Sequence, residues 1–251
     1  MPTRHATNCR SAALQTNDVR TAASLLLAAA AVLAACSSES YDTGDGKYSY
    51  LTADFGEVRT DAACRIAGFQ TDGGQTLTVG GDVRPSWATT PDSVYRALVY
   101  YDRRGADDAA VSAVRVVSVA QVPVLKATDA SHFGTPHTDP VRFESVWMAA
   151  SGKYINLGLS LMTGRTADGA KGHTVGMMLT SVSTSPDGRS TAHLTLYHDQ
   201  GDVPQNYSSR QYVSVPTASV AADSVCLTVH TYSGVVTRRM AVSGRKRPHG
   251  W

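Results

Sequence analysis

The chain has 251 residues, 42% of them hydrophobic and 18% charged, with 23 Lys+Arg against 21 Asp+Glu and a formal net charge of +2. That balance argues against a nucleic-acid partner, because phosphate binding needs a basic surface. The length suits one large β domain or two small ones.

Residues 24–35 are apolar and uncharged and end at Cys36. The run is too short to cross a hydrocarbon layer about 30 Å thick, but it suits the apolar core of a signal peptide. Arg20 supplies the positive flank, and Leu33-Ala34-Ala35-Cys36 has the residue types of a bacterial lipobox. Small residues let a peptidase grip an extended backbone, and the thiol accepts the diacylglycerol. The expectation is therefore a signal peptide over 1–35, a lipidated (palmitate-bearing) Cys36, and a tether over 36–47. Residues 1–18 are long and partly acidic for an export lead, so a start at Val19 is the alternative. Cleavage removes Arg4, Arg10, Arg20 and Asp18, which leaves a formally neutral body. The expected location is the cell envelope, anchored to the outer membrane by the lipid. Glu39 and Asp42 behind the acylated Cys slightly favour the outer surface over the periplasmic face.

Residues 48–126 read as five strands with Gly-rich turns, an OB-like β-barrel. Ser112, Val114, Val116 and Ser118 share one face of its last strand, opposite Val111, Ala113, Arg115 and Val117. Residues 127–140 hold Pro136 and Pro140 among small polar residues and read as a linker. Residues 141–243 read as hairpins. Ile155, Leu157, Leu159 and Leu161 take one face of a strand, and Tyr154, Asn156, Gly158 and Ser160 the other. Val225, Leu227 and Val229 alternate likewise with Cys226, Thr228 and His230. One-sided strands need a second sheet to cover them, so this half is expected to be an antiparallel β-sandwich. Arg245, Lys246 and Arg247 mark a basic, disordered tail over 244–251.

The order and spacing of several short motifs carry a resemblance. They are Phe133-Gly134-Thr135, Asp139-Pro140-Val141, Val146-Trp147, Tyr154-Ile155-Asn156-Leu157, the closing Val225-Cys226-Leu227-Thr228-Val229, and Tyr232-Ser233-Gly234. Together with the lipobox they resemble the NigD-like lipoproteins of Gram-negative gut and oral anaerobes, over nearly the whole of residues 36–243. The resemblance implies an OB-like domain, a C-terminal β-sandwich and an envelope location. It implies no established activity and no catalytic residues; the family name reflects an association with bacteriocin genes. The basic tail and the N-terminal lead depart from the family pattern.

No zinc-protease helix, serine elbow or phosphate-cradling loop is present, so no catalytic residue is assigned and the protein is expected not to be an enzyme. Asp107-Asp108 reads as a solvated hairpin tip. His193 and His198 lie an odd number of residues apart on one strand and face opposite ways. His132, His137 and Asp139 could hold Zn²⁺, but a Pro-containing loop would have to be pre-folded around it, so no metal and no cofactor is expected. Cys64 and Cys226 read as free thiols. Trp87, Tyr95, Tyr100 and Tyr101 are the candidate ligand-binding residues, a stacking platform on the OB-like domain, although core packing explains the same side chains. The leading reading is a non-enzymatic binding or interaction module, with a glycan or protein ligand and the membrane as partners. The alternatives are a bacteriocin-associated or immunity-type lipoprotein and an enzyme whose site is dispersed over loops.

Overall fold

The computed structural model describes residues 51–102 and 113–242. The segments expected to be a signal peptide, a tether and a basic tail, with Cys36 and Asp107-Asp108, lie outside the described residues.

The first half contains β1 (Leu51–Thr60), β2 (Ile66–Thr71), β3 (Thr76–Gly80), β4 (Val94–Asp102) and β5 (Val114–Gln121), closed as a barrel in the order β1-β2-β3-β5-β4. Closure comes from β1 pairing with β4 on one side and β2 on the other, while β3 and β5 pair in parallel. This is the OB-like barrel expected. Alternation on β4 sends Ala97, Val99 and Tyr101 into the barrel, where they meet Val58, Ile66, Phe69, Val79 and Val114. β5 departs from the expected alternation. A bulge opposite Tyr100/Tyr101 leaves Val117 unpaired, so Val114 and Val116 face the core and Val119, rather than Ser118, continues that face.

The second half contains β6 (Ala127–Asp129), β7 (Arg142–Met148), β8 (Tyr154–Thr163), β9 (Thr174–Thr184), β10 (Ser190–Asp199), β11 (Tyr207–Pro216), β12 (Ser224–Thr231) and β13 (Gly234–Ala241). They form a five-stranded sheet, β13-β12-β10-β9-β6, and a three-stranded sheet, β11-β8-β7. Three hairpins, β7–β8, β9–β10 and β12–β13, agree with the hairpins expected over 141–243. Between the sheets lie Ile155, Leu157, Leu159 and Leu161, with Val213 and Val215, against Met177, Ala192, Leu194, Leu196, Val225, Leu227 and Val229. The larger sheet is not wholly antiparallel: β10–β12 and β6–β9 are parallel pairs. The cause is connectivity. After β10 the chain crosses to β11 in the other sheet and returns, so β12 enters from the same end as β10.

The segment expected to be a linker is part of the sandwich. β6 extends the larger sheet, and a 3-10 turn over Ala130–Phe133 follows, capped by the Asp129 carboxylate on the Ser131 N–H. Phe133 stacks on Tyr197 at 4.7 Å and lies over Gly176, where a Cβ would come within 2.5 Å of its ring. Thr138 then bridges to His198 in parallel, and Val141 to Thr231. Prolines and small polar residues suggested a free connection, but one aromatic anchor and two short backbone pairings order it.

The outer face of β8 is covered by the barrel. Asn156 and Ser214, on the three-stranded sheet, are both 0% exposed. Arg96 from β4, only 4% exposed, donates to Asp72 through two hydrogen bonds of 2.5 and 2.6 Å, to Asn156 Oδ1 at 3.0 Å and to Ser214 Oγ at 3.1 Å. The ring of Tyr154 stacks against the guanidinium at 4.2 Å. Phe55 of β1 adds edge contacts to Trp147 and Tyr212. Pairing of Leu125 N–H with Ser214 O, and of Ser214 N–H with Pro123 O, completes the seam.

Candidate functional site

The four aromatic residues proposed from the sequence do not form one platform. Tyr101 is 0% exposed inside the barrel, its ring against Phe69 at 5.2 Å and its hydroxyl donating to Asp54 Oδ2 at 2.7 Å. Tyr100 follows β4's alternation to the opposite, outer face. Tyr95 and Trp87 meet edge-to-face at 5.6 Å and pack against the barrel core, and the Tyr95 hydroxyl accepts the Thr90 N–H at 2.8 Å. Strand period turns Tyr95 and Tyr101 to the barrel face of β4 and Tyr100 to the other, and Trp87 lies off the strands, packed on the barrel core. Cys64 and Cys226 are free thiols, Cys226 buried.

Two arrangements at one end of the sandwich are better candidates. The first is a cleft of about 590 Å³ between the three-stranded sheet and the β12–β13 hairpin, lined in part by Arg142, Phe143, Ser160, Met162, Gln205 and Tyr232. Its size falls in the range of small-molecule sites. It is bounded where β7 leaves the Val141–Thr231 bridge and where the β12–β13 turn overhangs it. Phe143 forms an apolar wall, with the Arg238 guanidinium over its ring at 5.7 Å. Ser160 donates to Glu144, which is paired with Arg210 at 2.6 Å. Tyr232 stands at the rim, 52% exposed. Burial, and secondarily the charge of Asp139, pushes its phenol above the ordinary value.

The second is a cluster of His137, Asp139 and Asp199, whose ligand-type atoms all lie within 4.8 Å of one another. His137 Nε2 is 3.9 Å from Asp199 Oδ2, and Lys171 Nζ donates to the same oxygen at 2.5 Å. Asp199 also accepts the Gly201 N–H, and Asp139 accepts the Gln200 N–H at 2.7 Å. The Lys171 hydrogen bond, then that from Gly201, holds the Asp199 carboxyl below its ordinary range despite the opposing effect of burial. Beside them His198 Nδ1 contacts the Asp139 carbonyl at 2.9 Å and Nε2 contacts His173 Nδ1 at 3.1 Å. Burial, then the neighbouring His198, pushes the His173 imidazole down. Gln200 joins cluster and cleft, since its Nε2 donates to the Met162 carbonyl.

Of the metal set considered from the sequence, His137 and Asp139 are together, but Asp199, not His132, is their third member. His132 sits on the 3-10 turn. Asp199 is 60 residues or more away in the chain, and no local pattern announces that β10 ends beside residue 139. His193 and His198 do face opposite sides of β10: His193 Nε2 contacts Ser183 Oγ on the outer face, whereas His198 is buried.

Residues 121–241 match the family described as the NigD-like C-terminal beta sandwich domain. Among solved structures, the chain is similar to a NigD-like immunity protein from Bacteroides caccae, with 21% identity, a TM-score of 0.56, and 74% of this chain and 91% of that one covered. It is similar to a DUF1344 protein of unknown function from Bacteroides vulgatus, with 16% identity, a TM-score of 0.58, and 79% and 94% covered. A Bacteroides fragilis protein with a lipoprotein designation matches at 9% identity and a TM-score of 0.52, with 78% and 100% covered. No curated protein sequence matches the chain significantly. At these identities the structural likenesses speak to the fold.

Proposed function

We propose, for a chain whose residues 121–241 match the NigD-like C-terminal β-sandwich domain, that it is a lipid-anchored envelope protein that acts by binding and not by catalysis. The cleft between the three-stranded sheet and the β12–β13 hairpin is its ligand site. The observation that carries this reading is the cleft itself: about 590 Å³, one aromatic wall at Phe143, an exposed tyrosine at the rim, and Ser160, Gln205 and Arg142 as hydrogen-bonding groups. An aromatic face beside hydroxyl, amide and guanidinium groups suits a ligand with an apolar face and a hydroxylated edge, as a glycan presents. The lipobox at Cys36 supports the anchor, and the Bacteroides fragilis relative with a lipoprotein designation is in keeping with it. The outer membrane, with the body on the outer surface, is the location we assign.

The test is a glycan array probed with the wild-type protein and with Tyr232→Ala. The substituted side chain is half exposed, so folding should be unaffected while binding falls. Glycan binding that is unchanged by this substitution, or no glycan binding at all, would overturn the cleft reading. Cys36→Ser tests the anchor separately: the protein should move from the membrane fraction to the soluble one, and retention would refute lipidation at this residue.

A second reading is an immunity-type role, favoured by the designation of the Bacteroides caccae structure. Deleting the gene and challenging the cells with bacteriocins from neighbouring strains tests it. Unchanged survival would remove it.

A further inference from the structure

We propose that His137, Asp139 and Asp199 form a binding site for a first-row divalent transition-metal ion, and that Lys171 is a built-in competitor for it. The proposal is independent of what the cleft binds.

The three side chains are positioned by backbone pairing. The His198 N–H donates to the His137 carbonyl at 3.0 Å, and the Asp139 N–H donates to the His198 carbonyl at 2.9 Å. This parallel bridge holds residues 137 and 139 alongside β10, and Asp199 is the next residue of β10. His137 and Asp139, two apart in an extended segment, project to the same side. The ligand atoms already lie within 4.8 Å of one another. Donors about 2.0–2.2 Å from a tetrahedral ion are roughly 3.3–3.6 Å apart, so small torsional movements of three side chains would close the set.

The donor chemistry narrows the ion. One imidazole and two carboxylates suit Zn²⁺, Mn²⁺ or Fe²⁺, whereas Ca²⁺ and Mg²⁺ prefer all-oxygen sets. Both carboxylates are oriented from behind by backbone N–H groups, Asp139 by Gln200 and Asp199 by Gly201, as outer-shell groups orient metal ligands. His137, with its side chain 41% exposed, leaves an open approach. Three protein ligands would leave at least one coordination position for water.

Lys171 performs the ion's electrostatic role in its absence. Its ammonium sits on Asp199 Oδ2, but its side chain is 59% exposed and can swing into solvent. An incoming dication would displace it. The affinity of the site should therefore rise when the ammonium is removed, an effect that a cluster serving only to stabilise the fold would not produce.

The experiment titrates Co²⁺ into the untagged, chelator-stripped protein, following the visible d–d absorption, with Zn²⁺ in competition. Wild type, His137→Gln, Asp139→Asn and Lys171→Met are compared, with circular dichroism confirming that each is folded. The expected result is one ion per chain, displaced by Zn²⁺. His137→Gln and Asp139→Asn should each weaken binding by about tenfold or more. Lys171→Met should tighten it roughly fivefold, the weight of a largely exposed ion pair. His137→Gln changes a well-exposed side chain, so it remains informative if Asp139→Asn fails to fold. Absence of one-to-one binding in Lys171→Met, or binding unchanged by His137→Gln, would overturn the proposal.

Discussion

Arg96 and Asp72 face each other through two hydrogen bonds of 2.5 and 2.6 Å, and the same guanidinium reaches Asn156 and Ser214 on the sandwich. One barrel side chain thus satisfies acceptors on both sides of the seam. Asn156 closes the circuit by donating to Asp72 at 3.1 Å and accepting from Ser214 at 2.7 Å. Every member is buried or nearly so, which makes the arrangement rigid when complete and costly when broken.

Arg96→Ala is therefore expected to destabilise the protein by about 3–5 kcal/mol, because it takes the paired cation from the largely buried Asp72 carboxylate and a donor from Asn156 and Ser214. Arg65→Ala is the control. Arg65 pairs with Asp61 at 2.8 Å on the surface, and its removal should cost far less than that of Arg96. Urea denaturation of the two variants checks the contrast. Equal losses would show that burial at the seam does not govern the energy.

At the edge of the same seam, Glu57 accepts from the Tyr154 hydroxyl and from Lys153 Nζ, both at 2.9 Å. Burial opposes ionisation of Glu57, but the hydrogen bonds from Lys153 and Tyr154 outweigh it and hold the carboxyl below its ordinary value of 4.5. A depressed carboxyl stabilises the fold above its unfolded value and loses that contribution as pH falls through the folded one. Acid unfolding should accordingly shift to a shallower pH dependence below 4.5 in Glu57→Gln. Tyr154 goes the other way: burial first, then the Glu57 contact, pushes its phenol up to about 12. Spectrophotometric titration should find a phenol ionising at about 12 that is missing in Tyr154→Phe.

His173 gives a second pH window. Burial and the adjacent His198 hold its imidazole below the ordinary 6.5. The unfolded chain then binds the proton more readily. Stability from this residue is complete above 6.5 and declines as pH falls below it, until the folded imidazole also protonates. Thermal melts between pH 7 and 5 should show a smaller decline in His173→Asn than in the wild type. An unaltered profile would refute the assignment.

Gly176 is a steric requirement. An added Cβ would lie 2.5 Å from Phe133, the anchor of the segment that leads from β6 to β7. Gly176→Ala should cost about 1–3 kcal/mol, the range for overpacking a filled site. Phe133→Leu in the same chain should recover part of it, since the clash is with the ring. A double variant no more stable than Gly176→Ala alone would refute that account.

Much of the fold was legible from local periodicity. Ile155, Leu157, Leu159 and Leu161 repeat every second residue and do line the sandwich core, and Val225, Leu227 and Val229 do the same on the facing sheet. β11 has a weak local signal, because only Val213 and Val215 of its ten residues fill that core and its first half is polar. Alternation on β4 puts Tyr100 and Tyr101 on opposite faces, against the single platform expected of them, and closure of the barrel decides that Tyr101 is the one enclosed.

The sequence by itself determined that this protein is built from one-sided strands in two β units, because side-chain alternation and turn residues act over a few positions. Only the tertiary structure decided what covers the polar faces and which distant ends meet. Asn156 looks solvent-facing on its strand, yet the barrel buries it beneath Arg96. Asp199 carries no local sign of a site, yet the parallel bridge between residues 138 and 198 brings it to His137 and Asp139. A strand's period states that two faces differ. The partner each face receives depends on contacts between residues tens of positions apart, and no short window of sequence contains them.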